Sequence, residues 1–315
     1  MKYLIIALQI FLAVFVVFGL IPHFLSGFVV YKKLLVRGTK KKWSRDFDPR
    51  VKGDLARIYL DAGQWADSYR AYRREVGTEN DGLHLHGEYY EFSPTAKRAV
   101  IIIPGRTEAC RYCCHFAEPY RLLGYNVLTI DNRAHGLSDG RYNEVGFGES
   151  RDLIKWGEYL HTECGVEEII LHGICIGACS ALFALTNDDC PDYITAMTAD
   201  GIYRSFYESF RCHLRHHKVP VFPVLQEVTF LLRHIARAEV KNDGPAFRIG
   251  KLQKPILFLH SREDHYSLPD AAQSIYDACR AAKELVWFDH GEHSMLRITD
   301  PDRYDAAIRA FYLSH

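Results

Sequence analysis

The stretch Ile169-Ile170-Leu171-His172-Gly173-Ile174-Cys175-Ile176-Gly177-Ala178-Cys179 reads as an apolar strand that enters a Gly-x-Cys-x-Gly turn and continues as a helical run through Leu185. In such a turn the middle residue is forced into a strained backbone conformation. Small residues are needed on both sides so that strand and helix can pass closely. The start of the helix places the Ile176 N–H where it could donate to an oxyanion, and the helix dipole stabilises negative charge on the Cys175 sulfur. Taken alone, the pentad fits a buried cysteine beside two packing glycines equally well.

Outward from this turn, short apolar runs recur at Ala99–Ile103, Asn126–Ile130, Glu168–Leu171, Ile194–Thr198, Ile256–Leu259 and Leu285–Phe288. Each is strand-length and helix-like segments separate them, which predicts an α/β domain with a mostly parallel sheet buried on both faces. Ahead of them Leu83–Phe92 alternates at period two and predicts an antiparallel edge strand. His84 and His86 share a face of that strand, but no third metal ligand is near, so a half-exposed strand face is the better reading. Without internal repeats or low-complexity linkers, one domain is expected over about 80–315.

Four more segments carry chemistry. Ala99-Val100-Ile101-Ile102-Ile103-Pro104-Gly105-Arg106-Thr107 is a strand stopping at a glycine turn. Gly124–Ser138 contains Asp131, Arg133 and His135. After Pro255–His260 come Ser261, Arg262, Glu263 and Asp264, then Pro269. Phe288-Asp289-His290-Gly291-Glu292-His293-Ser294 precedes a last helix over Tyr304–Leu313. In this order, and with the turn at Cys175, the set resembles the α/β-hydrolase superfamily over about 80–315, nearest its membrane-anchored bacterial lipase, esterase and serine-aminopeptidase-like branch. A cysteine replaces the usual serine, as in dienelactone-hydrolase-like members, and Pro104 stands where many relatives have His.

The resemblance implies a nucleophile elbow at Cys175, an acid at Asp264 and a base at His293, in the chain order of that superfamily. The backbone N–H groups of Ile176 and Arg106 would form the oxyanion hole, with Thr107 the next candidate. Glu263 and Asp200 stay open as the acid, because the gap from Asp264 to Pro269 is one residue longer than the pattern. Asp131, Arg133 and His135 would brace a loop, and His290 is read as loop structure. A small helical lid is expected over about 203–252, its apolar residues lining an acyl pocket or packing on the sheet. The basic stretch Arg211–Lys218 within it is read as a solvated face. The implied function is an acyl hydrolase (esterase, thioesterase or lipase-like) acting on a small-molecule or lipid substrate, with no metal or organic cofactor. The alternatives are a catalytically silent binding or scaffold protein and a short-peptide peptidase.

The N-terminus reads differently. From Leu4 to Pro22 the strongly polar side chain is Gln9, and uncharged character continues to Tyr31. That length spans bilayer hydrocarbon, and the run lacks the basic start and Ala-x-Ala site of a signal peptide, so a transmembrane anchor is expected over 1–31. Lys32, Lys33, Arg37, Lys40, Lys41, Lys42 and Arg45 follow the run, against Lys2 before it. The positive-inside bias would place a single-pass protein at the cell membrane with its body in the cytoplasm. A basic juxtamembrane segment, 32–79, is expected to hold one or two helices around Leu55, Ile58, Tyr59 and Leu60.

Composition bounds the rest. The 315 residues carry 39 Lys plus Arg against 39 Asp plus Glu, so there is no global basic field to collect nucleic acid. Nine cysteines are too dilute and odd in number for a disulfide framework, which favours reduced thiols. Cys110-Arg111-Tyr112-Cys113-Cys114-His115 lacks the spacing for haem attachment and a second ligand pair for zinc, so it is read as helix packing.

Overall fold

The apolar runs pair into an eight-stranded sheet: β1 (Arg73–Asn80), β2 (Leu83–Tyr90), β3 (Arg98–Ile103), β4 (Asn126–Ile130), β5 (Glu168–Ile174), β6 (Ile194–Asp200), β7 (Ile256–Ser261) and β8 (Lys283–Phe288), in spatial order β1-β2-β4-β3-β5-β6-β7-β8. β2 runs antiparallel to β1 and β4, and the other neighbours are parallel. This computed structural model describes residues 2–46 and 50–315. Positions 47–49, within the expected juxtamembrane segment, and the side chains at 18 and 20–24, within the expected span, lie outside the described set.

Register decides where the chemistry can sit. Ile103 pairs with Gly173, Ile174 with Asp200, Asp200 with Leu259, and Ser261 with Phe288. The carboxyl ends of β3, β5, β6, β7 and β8 therefore line one edge, the place where ligands bind in open α/β sheets. Both faces are covered, as continuous apolar strands require. Ile101, Leu128 and Leu171 pack on one side with Trp156 of the helix Phe147–Cys164. Val100, Ile102 and Ile170 pack on the other with Phe311 of the helix Pro301–Ser314.

Two expectations need correction. β2 is not an edge strand, because β1 pairs along its whole length from Arg73↔Tyr90 to Asn80↔Leu83. β1 escapes sequence detection because only Val76 in Arg-Arg-Glu-Val-Gly-Thr-Glu-Asn is buried, so it carries no apolar alternation. The second correction concerns the N-terminus. Its helical run is divided into Lys2–Phe15, a π-helical turn Val16–Leu20, and Ile21–Leu35. Lys2–Phe15 has 14 residues and no buried side chain. At 1.5 Å per residue it reaches about 21 Å, short of the ~30 Å hydrocarbon layer. The later helix ends against the body, with Tyr31, Leu35 and Val36 buried. Among the described residues no helix is long and apolar enough to cross a membrane. The expected single-pass span is overturned, and so is the cytoplasmic placement that rested on it.

The expected helix around Ile58 is present as Asp54–Ser68 and buries Ile58, Ala62 and Ala66 against the sheet. Deeper, His172 of β5 lies between the hydroxyls of Tyr120 (2.9 Å) and Tyr304 (3.1 Å). Burial, and then the Arg297 charge, push this imidazole down to about 3.

The elbow itself follows from close approach. A Cβ on Gly173 would collide with the backbone of Gly177 and Ala178, and one on Gly177 with the Ile103 carbonyl. Between them Cys175 takes φ 56° and ψ −112°, a conformation that L-residues avoid and that here separates β5 from the helix Ile176–Leu185.

Gly177→Ala is expected to destabilise the fold by about 3 kcal/mol or more, since neither partner backbone can yield, and denaturant melts would read it. His172 gives a pH signature. Its folded pKa lies below its unfolded value, so the unfolded chain binds more protons between pH 6.5 and about 3 and stability falls as pH is lowered through that window. His172→Gln should remove about 1.4 kcal/mol of that loss per pH unit, seen as a narrowing gap to wild type in acid.

Candidate active site

Cys175 stands at the base of a cavity of about 170 Å³ at the carboxyl edge of the sheet. Ile176, Tyr203, Phe206, Phe210, Met295 and His293 are among the residues lining it. Its floor is fixed by the β5–β6 pairing, in which the Cys175 N–H donates to the Asp200 carbonyl (2.8 Å).

His293 and Asp264 come from the loops after β8 and β7. Oδ1 of Asp264 accepts the N–H groups of Tyr266 (2.8 Å) and Ser267 (2.7 Å), a turn that aims the other oxygen outward. That oxygen, Oδ2, accepts from Nδ1 of His293 at 2.6 Å. The side chains are 1% and 11% exposed, so water screens this pair little. Burial opposes the charged imidazole, but Asp264 and then Cys175 outweigh it, and the pKa of His293 is raised well above 6.5. Burial likewise pushes Asp264 up, and the His293 charge and hydrogen bond more than reverse it, holding the carboxyl below its usual 3.8. Nε2 of His293 is buried, and its ring lines the same cavity as Cys175.

The other two carboxylates have different surroundings. Glu263 accepts from the Gly291 N–H (3.2 Å) and faces Nδ1 of His290 (3.3 Å), so it steadies the loop that carries His293. Asp200 is fully buried. Tyr304 donates to its Oδ2 (2.8 Å), and Oδ1 has no partner among the described residues. Burial pushes this carboxyl up to about 7 despite the Tyr304 hydrogen bond.

The loop after β3 closes over the elbow: a Cβ built on Gly105 would stand 3.8 Å from Cβ of Cys175. Asn132 donates to the Pro104 carbonyl (3.2 Å), and the His135 ring lies 2.8 Å from the Arg106 carbonyl, so two side chains of the β4 loop hold this segment in place. The Ile176 N–H, first in its helix, has no intrahelical acceptor. The Thr107 N–H is engaged by Glu108 Oε2 (3.2 Å). Asp131 and Arg133 brace their loop as expected: Asp131 accepts from the N–H groups of Cys110 (2.9 Å) and Leu137 (2.9 Å), and Arg133 binds Asp152 (2.6 Å) and Glu144 (3.0 Å).

Sequence reading missed Glu108 and the leucines 34 and 35, all of which line the cavity. No motif marks them. Glu108 lies in a loop with no periodic or compositional mark, and the leucines lie in a run whose composition points elsewhere. His213, from the helix Phe206–His216, also lines the cavity, and burial followed by the Arg106 charge pushes it down to about 4, so it is neutral near pH 7.

Comparison with known proteins agrees with this topology. A family model for the alpha/beta hydrolase fold matches residues 98–219. The uncharacterized protein YqkD of Bacillus subtilis (strain 168) is 28% identical over 232 residues, covering 73% of this chain and 75% of that one. The esterase Pf2001 of Pyrococcus furiosus superposes with a TM-score of 0.65 at 21% identity, over 88% of this chain and 99% of its own. The acylaminoacyl peptidase of Pyrococcus horikoshii superposes with a TM-score of 0.54 at 18% identity, over 77% of this chain and 40% of its own. With its strand order, its turn at Cys175 and these likenesses, the chain has the α/β-hydrolase fold.

Proposed function

We propose that the protein is an acyl hydrolase of the esterase or thioesterase type, working through Cys175, His293 and Asp264. The observation that carries this reading is the shielded Asp264–His293 hydrogen bond of 2.6 Å in the cavity that also holds the strained Cys175. The Cys175 thiol gives its proton to Nε2 of His293 and its sulfur attacks the acyl carbonyl carbon, so that the carbonyl oxygen takes negative charge facing the N–H groups of Ile176 and Arg106. Donors of this kind contribute about 3–4 kcal/mol each to transition-state stabilisation. As the tetrahedral species collapses, the C–O or C–S bond to the leaving group breaks and protonated His293 supplies the proton it needs. Water then attacks the thioester, giving its proton to His293, and the carboxylic acid leaves with Cys175 restored. Asp264 holds the ring with Nε2 toward the reaction and stabilises its cation. The residues between β6 and β7 act as a lid over this cavity.

Glu108 favours a second reading. Its carboxylate lines the cavity beside the oxyanion loop, and its contacts are the N–H and the hydroxyl (2.5 Å) of Thr107, with no ion-pair partner among the described residues. A half-buried carboxylate without a cation beside a nucleophile suits a substrate bearing an ammonium group, such as a short peptide or aminoacyl ester.

Cys175→Ala is expected to lower acyl transfer by about 10⁴-fold or more with an unchanged melting curve, and His293→Ala nearly as far. The double variant should be little worse than either single one, and additive losses would argue against a shared mechanism. Iodoacetamide should label Cys175 faster than Cys179, whose thiol is pushed well above its usual range by burial. Equal labelling in folded protein, together with no turnover of esters, thioesters or amides, would leave a silent binding protein. For the second reading, Glu108→Gln should raise KM for aminoacyl esters relative to their N-acetylated forms by roughly tenfold, the scale of one lost charge-assisted contact; equal KM changes for both would remove it.

A further inference from the structure

We propose that the C-terminal end of the helix Ile21–Leu35 is a wall of the acyl pocket, and that Leu34 and Leu35 set the length of hydrocarbon chain the site accepts. This rests on the acyl-hydrolase reading above and adds to it a substrate class, esters or thioesters of an uncharged acyl chain of limited length.

The two leucines line the same cavity as Cys175 and His293, although some 140 residues separate them from the elbow in the chain. Phe206, Phe210 and Tyr203 line the same cavity and pack in one apolar cluster with Leu35. The surrounding core joins Tyr31, Leu35 and Val36 to Phe210, Leu225 and Val228, so strap and lid bury one apolar cluster together. His213, neutral for the reason given above, adds no charge to that wall.

The strap is tied at both ends of the wall. Upstream, the Gly27 N–H donates to Oε2 of Glu227 (2.6 Å) on the helix Val224–Ile235, and a Cβ on Gly27 would collide with Glu227, so these helices meet at a distance that only glycine allows. At the wall, Arg106 donates from its guanidinium to the Leu34 carbonyl (3.2 Å), and the Asn143 N–H donates to the Leu35 carbonyl (3.0 Å). Downstream, Arg37 donates to the carbonyls of Ser138 (2.9 Å) and Gly136 (2.6 Å). Lys42 closes the end of the helix on the Lys33 carbonyl (2.7 Å). Trp43 stacks on His135 (4.4 Å), the ring that also holds the Arg106 carbonyl. Finally Arg45 binds Asp131 (2.7 Å) and Glu75 (2.9 Å). The segment that closes the cavity is thus fastened to the loop that supplies an oxyanion donor, and the position of the leucines is as fixed as that of the donor.

The test uses the full chain and p-nitrophenyl esters from acetate to dodecanoate, with acylation of Cys175 followed by intact mass and kcat/KM by released nitrophenol. Leu34→Ala lengthens the pocket and should raise the decanoate-to-butyrate ratio of kcat/KM by roughly tenfold, while Leu34→Trp should lower it by a similar factor. Arg37→Ala, a positioning change outside the cavity, should move the ratio in the direction of Leu34→Ala through KM for the longer ester, a shift that general destabilisation would not produce. Wild-type acylation with the ratio unmoved in both Leu34 variants overturns this inference and leaves the hydrolase reading standing. Failure of every ester to acylate the wild type overturns the hydrolase reading, and this inference falls with it. If a melting curve shows Leu34→Ala unfolded, an unmoved ratio in Leu34→Trp and Arg37→Ala is the overturning result.

Discussion

At Cys175 the backbone turns through a left-handed conformation of the kind that costs a non-glycine residue about 1–3 kcal/mol, and the rest of the site is arranged by the contacts that hold it there. Gly173 lets the start of the elbow helix fold back over β5, and Gly177 lets that helix press on the Ile103 carbonyl at the end of β3. The Cys175 N–H, bonded to the Asp200 carbonyl, ties the turn to β6. From β6 the parallel register carries through β7 to β8, and the loops after those two strands bring Asp264 and His293 to the elbow. One steric constraint therefore fixes Cys175 and the start of the loop after β3, and the sheet transmits it to Asp264 and His293.

Asp200, Glu263 and Asp264 lie close together at this edge and differ through environment alone. Asp264 has two backbone N–H groups on one oxygen and an imidazole on the other, so its ionised form is fully satisfied despite burial. Asp200 has a single tyrosine hydroxyl on one oxygen and no partner on the other among the described residues, and burial pushes its carboxyl up to about 7. Glu263 remains half in solvent and holds the Gly291 turn. Because the pKa of His293 is raised and that of Asp264 depressed, their mutual stabilisation is complete between the two ordinary values. It fades in acid as Asp264 protonates and in base as His293 loses its proton.

The parallel core was legible because β3, β4, β5, β6 and β7 are apolar along their length, and two-sided burial leaves no other pattern. The elbow was legible because glycine was required on both sides of one residue. Chain order favours Asp264 as the acid but leaves Glu263 and Asp200 open: what sets Asp264 apart from its neighbour is the turn made by Tyr266 and Ser267, which has no compositional mark. β1 was missed for the opposite reason, since it buries one side chain and is held by backbone pairing to β2, a contribution that side-chain periodicity does not record. Glu108 and Leu34 enter the cavity by tertiary packing alone.

The N-terminal segment departs from its hydropathy for a physical reason. Hydropathy counts apolar residues without saying what covers them, and here Tyr31, Leu35 and Val36 are covered by the lid and the body. The charges that followed were read as an orientation signal, which presumes that they face solvent. Arg37, Lys42 and Arg45 do not: their donors are taken by the carbonyls of Ser138 and Gly136, by the carbonyl of Lys33 at the helix end, and by Asp131 and Glu75. Burial lowers the pKa of both Arg37 and Lys42, as expected for cations withdrawn from water. A cation bound to the protein's own carbonyls fixes a loop rather than reporting on a flank. The charge excess after residue 31 is thus partly explained by the docking of Tyr31, Leu35 and Val36 at the edge of the cavity that holds Cys175.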